Sequence, residues 1–154
     1  MTEEQENNTS IWKTIKGSDD LFEVYGYYPT LHDAVVTGMD VNFEKRAIIF
    51  SFEYSDLVGD GPEFEPNGEC LATRIMIRWQ NVADSELIFE GKEIYDMSFE
   101  LVGDHIKTIF AQSWGIGGFI ISKNVEVLSI EPSKRDSVEN VTDFLRATKM
   151  TFAG

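Results

Sequence analysis

Cysteine is nearly missing from this chain: Cys70 is the single thiol in 154 residues. One cysteine closes no internal disulfide and builds no cysteine cluster for zinc or iron. Histidine is almost as scarce, with only His32 and His105, far apart in sequence and outside any two-histidine metal spacing. No apolar run reaches the roughly 18 residues needed to cross a membrane. The opening "MTEEQENNTS" lacks the basic and apolar regions of a signal peptide, so the expected location is the cytosol. Basic residues are few, thirteen against 27 acids, giving a net charge of −14. Such a surface repels nucleic-acid phosphates and anionic lipid headgroups. It attracts a basic protein and speeds encounter with it.

What the chain does have is apolar and aromatic residues in quantity, 42% and 12%, with eleven Phe to fill a core. Residues 1–9 are polar and read as a flexible acidic arm; residues 10–154 read as a single α+β domain. Ile11, Trp12 and Ile15 recur at helical spacing, and "SDD" then offers an N-cap for a short helix that Gly26 stops. Pro29 closes this region with a turn.

From Asp33 the period changes to two. Val35, Met39, Val41 and Phe43 are expected on one face of a strand, with Asp40 and Asn42 on the other. "EKR" is a polar turn, and "AIIFSFEY" sets Ile48, Phe50, Phe52 and Tyr54 against Ala47, Ile49, Ser51 and Glu53. "ATRIMIRW", "SELIF", "IYDMSFELV", "IKTIFAQSW" and "GFIISKNVEVLSI" continue the pattern. Their short gaps leave no room for crossover helices. The expected fold is therefore an antiparallel meander of about seven strands, with short N-terminal helices and a C-terminal helix that Ser137 caps.

Chemistry-bearing patterns are thin. "WGIGGF" lacks the Lys-Ser/Thr pair of a phosphate loop and opens no helix, so its glycines read as a hairpin turn or a bulge. Glu69 beside Cys70 raises a thiol pKa and does not activate it. His32-Asp33, between a proline turn and a strand, has a structural use in satisfying turn amides and fixing a tautomer. An enzyme or ligand-binding barrel would instead need His32, Asp33 and His105 to converge in the mouth of the sheet. No cofactor motif and no metal set is present.

The acids are the stronger signal. Asp56, Asp60, Glu63, Glu65 and Glu69 crowd a loop too long for an ordinary hairpin, with Phe64 as an apolar anchor between two glutamates. Asp96 and Glu100 alternate with Met97 and Phe99 and are expected on the exposed face of a strand. The loop is the first choice of partner-binding surface, and the strand acids are the second.

The string "IKGSDDLFEVYGYYPTLHDAVVTGMDV", followed by paired β segments and "RWQNVADSELIF", resembles the bacterial immunity protein 50 family. The likeness covers roughly residues 11–131, and its most distinctive part is "P-x-x-H-D-A", here Pro29, His32, Asp33 and Ala34. The acidic loop 55–70 and the tail beyond Pro132 fall outside it. The resemblance implies a cytosolic, non-catalytic antidote of a polymorphic toxin system, binding a cognate toxin domain delivered by neighbouring cells. It further implies that Pro29, His32 and Asp33 serve the fold. A housekeeping adaptor is the remaining alternative.

Overall fold

The computed structural model describes residues 2–57, 70–111 and 114–133. Two helices, α1 (Glu3–Trp12) and α2 (Ser18–Tyr25), precede six strands: β1 (Val35–Asn42), β2 (Ala47–Leu57), β3 (Cys70–Phe89), β4 (Asp96–Val102), β5 (His105–Ala111) and β6 (Ile116–Pro132). The strands form one antiparallel sheet in the order β1-β2-β3-β6-β5-β4. The expected meander of about seven strands is thus corrected in number and order. "ATRIMIRW" and "SELIF" are parts of the one strand β3, carried through a bulge between Val82 and Asp84. The sheet is two three-stranded runs joined where β3 pairs with β6. It is open and does not close as a barrel. The expected C-terminal helix lies outside the described residues.

Residues 1–9 were expected as an arm, yet Glu3 onward is helix α1. A capping box starts it: Gln5 N–H donates to Thr2 Oγ1 and Thr2 N–H to Gln5 Oε1. The helix carries Trp12 into the core, edge-on to Phe99 at 4.8 Å and stacked with Tyr28 at 6.0 Å. Helix α2 begins at Gly17 without a side-chain cap, so Ser18 is its first residue and is buried; Gly26, with φ of 78°, ends it as expected.

The period-two pattern of β2 and β3 holds. Phe50, Phe52, Ile75, Ile77 and Trp79 are fully buried on the face toward the helices. Each is worth about 1.5–3 kcal/mol relative to exposure. The polar atoms drawn into this core find partners. Trp79 Nε1 donates to Thr108 Oγ1 at 2.8 Å, and Tyr25 OH bonds to Thr73 Oγ1 at 2.6 Å. In β1 the pattern breaks. A bulge between Val36 and Gly38 sets Val36, opposite Phe52, on the core face with Met39 and Val41, and leaves Val35 opposite Glu53 on the other. None of the helices among the described residues is long and apolar enough to cross a membrane.

The edge strand β4 would present unpaired N–H groups to solvent. Met97 N–H instead donates to Thr30 O, and Phe99 N–H to Oδ1 of the buried Asn8, both at 2.8 Å. Asn8→Ala strands a buried donor and should lower stability by about 1–3 kcal/mol in chemical denaturation. A loss under about 0.5 kcal/mol, the scale of a neutral surface change, would mean that the contact stabilises nothing.

Burial, followed by the neighbouring Tyr25, pushes the Tyr54 hydroxyl up to about 12. A raised folded-state value gives stability that is complete below the ordinary tyrosine range and is lost as pH climbs from about 10 to 12. Denaturation across that window should find Tyr54→Phe losing less stability than the parent. Equal slopes would contradict the assignment.

Candidate functional site

The solvent face of the β3–β6–β5–β4 half of the sheet is built by register. One row across the strands reads Asp84, Ile121, Lys107, Glu100; the next reads Glu86, Phe119, Ile109, Ser98. Side chains in such rows lie about 5 Å apart. The half-exposed Ile109, Phe119 and Ile121 therefore form an apolar strip, with Asp84 and Glu86 along one margin and Glu100 along the other. Lys107 sits over the Phe119 ring at 5.0 Å and reaches Glu100 at 3.7 Å, which anchors a cation across the strip. Gly118 lets β6 run this close to β3. Its φ is 107°, and a Cβ there would collide with Glu86 O.

Glu100 thus stands where it was expected, on the exposed face. Asp96 lies on the same face of β4 but is engaged: Thr30 Oγ1 donates to its Oδ1 at 2.7 Å, and His32 Nδ1 lies 3.6 Å from it. Asp56 joins β2 opposite Leu71. Asp60, Glu63, Phe64, Glu65 and Glu69 lie outside the described residues. Glu86 and the strip residues lie in segments the sequence marks as strands, and Asp84 directly precedes one, but nothing there marks them as a site. Their signal is the register that makes them neighbours, and periodicity within one strand does not carry it.

His32 and Asp33 form a turn at one end of this half-sheet. Ala34 N–H closes it onto Leu31 O at 2.9 Å, and Asp33 occupies the third position with φ of 63°, as a type II turn requires. The turn falls here and not at Pro29, which is buried ahead of it. Asp33 N–H donates to Ile94 O at 2.8 Å, and His32 Nδ1 contacts Tyr95 O at 2.5 Å. The exposed Asp33 carboxylate approaches His32 Nε2 at 3.4 Å. His32 and Asp33 therefore tie the entry of β1 to the entry of β4.

His105 is elsewhere. It pairs with Val102 at the far end of β4, about 20 Å along the strand from Asp96, where its Nδ1 meets Asp104 at 2.7 Å. The convergence that an enzyme reading needs is not what the sheet provides. Among the described residues, no group of three or more His, Cys, Asp or Glu side chains could hold a metal ion.

Compared with family models, curated proteins and solved structures, the chain matches none.

Left-handed backbone is cheap for glycine and costs a non-glycine residue about 1–2 kcal/mol, less for Asp and Asn. Asp33→Gly should leave stability unchanged or raise it, while the β-branched Asp33→Val should lose about 1–2 kcal/mol in urea titration. If Gly destabilised as much as Val, the carboxylate and not the backbone would be holding the turn.

Proposed function

We propose that this protein is a non-catalytic binder that neutralises a basic protein partner, and that the partner is the toxin domain of a polymorphic toxin system. The role requires a rigid surface of suitable charge and no reacting groups. The observation that supports it best is the acid-margined apolar strip on the open sheet. Apolar contact at Ile109, Phe119 and Ile121 would supply affinity, and Asp84, Glu86 and Glu100 would steer a cationic partner onto it. The net charge of −14 extends the same attraction to long range. The resemblance to immunity protein 50 sequences supplies the biological setting, a cytosolic antidote. His32 and Asp33 serve as bracing in this reading, and the acids of loop 55–70 form a second candidate contact.

The test is binding to the toxin domain encoded beside the gene. Asp84→Lys, Glu86→Lys and Glu100→Lys together should weaken binding at least tenfold, or about 1.4 kcal/mol, and flatten its salt dependence while circular dichroism is unchanged. A matched triple, Asp60→Lys, Glu63→Lys and Glu65→Lys, measures the share of the loop. If the parent fails to bind or protect against that domain, the immunity reading fails. If both triples bind like the parent, the acidic-surface mechanism fails.

A further inference from the structure

The two edges of the sheet are treated differently. On edge β4, Thr30 O covers the Met97 N–H and Asn8 Oδ1 the Phe99 N–H. Edge β1 is covered over its first residues, where the chain's own segment 92–94 lies along it as an added antiparallel strand. Val35 bridges Glu93, Val36 N–H donates to Lys92 O, and Ile94 N–H donates to Ala34 O. The segment then departs, and among the described residues β1 has no further strand neighbour on that side as it continues to Asn42.

Val36 N–H points away from β2. Antiparallel alternation, carried across the bulge before Gly38, then turns the N–H and C=O of Met39 and Val41 outward as well. Proteins usually blunt such an edge with a charge or a cover. Here the core-face side chains are apolar and open, Met39 being 50% exposed, and Phe43 in the adjoining turn is 88% exposed. Beside them lies a cavity of about 360 Å³ lined by Val41, Phe43, Ile48 and Val82 and also by the charged Arg46 and Asp84. On the opposite face of the strand stands exposed Asp40.

We propose that the open half of the β1 edge, Gly38 to Asn42, accepts a basic β-strand from another protein. The outward N–H and C=O groups supply the ladder, and alternate apolar side chains of the incoming strand fill the cavity. Its intervening Lys or Arg side chains meet Asp40 and the field of a chain carrying −14. That charge also disfavours a second copy as the occupant, because symmetric pairing centred on Asp40 sets two like carboxylates side by side. The proposal stands independently of the toxin reading.

The probe is a capped synthetic decapeptide of alternating Lys and Val, added to the full chain, with residue-resolved amide exchange as the readout. Exchange at Met39 and Val41 should slow at least tenfold. A shuffled peptide of the same composition should leave it unchanged. Val41→Pro removes one outward donor at an edge position where proline is tolerated, and Met39 protection should then be lost. Should that variant misfold, Val41→Lys blocks the same edge by charge and should also abolish protection. Protection confined to other strands, or equal protection by the shuffled peptide, would overturn the proposal. Concentration-dependent protection without peptide would overturn it in favour of a second copy.

Discussion

The pairing of β3 with β6 is the constraint on which the rest of the molecule rests. It runs from Thr73 opposite Pro132 to Phe89 opposite Ile116, and each half of the ladder carries a different set of neighbours. The Cys70–Trp79 half of β3 holds β2 and through it β1; the Gly118–Ser122 part of β6 holds β5 and through it β4. A long antiparallel ladder twists strongly, so the two runs need a local correction to keep apolar side chains inward. The bulges at Met76/Ile77 and Val82/Asp84 provide it. Trp79 and Thr108, from different runs, consequently meet in one core.

Much of this was legible in the residues. Alternation set Phe50 and Phe52 on one face of β2, which is buried, and the same period continues in the first half of β3, while Gly26 marked a helix end. The misses have physical causes. α1 hides its core contribution in Asn8, a polar residue buried for its hydrogen bond, and its start signal is the capping box of Thr2 and Gln5 rather than an apolar stripe. The bulge after Val36 exchanges inside for outside within β1, which simple alternation does not foresee. The acid-margined strip was invisible for a further reason. Ile109 and Phe119 touch because β5 pairs β6, whereas Glu86 joins them because β3 crosses to the far side of β6. Periodicity reports the face of a strand, never its neighbour.

The turn at His32-Asp33 ties together pieces that belong to opposite edges. Leu31 is fully buried although its φ is 57°, a left-handed value unfavourable for a branched side chain. Burial of Leu31 and the backbone bond from Asp33 to Ile94 offset that strain. The histidine is thereby placed for fastening, between the Tyr95 carbonyl and two carboxylates, and the open sheet is drawn partway toward a barrel without closing.

The bond between Asn8 and Phe99 joins residues 91 apart in sequence. During synthesis α1 leaves the ribosome before β4, the strand it docks on, which emerges after β1, β2 and β3. Chains elongate at roughly 5–20 residues per second, so α1 waits several seconds beside a growing sheet. Throughout that interval Trp12 has no Phe99 to receive it. At ten residues the helix is marginal on its own, so the capping box of Thr2 and Gln5 biases a segment that becomes a stable helix only when Phe99 arrives.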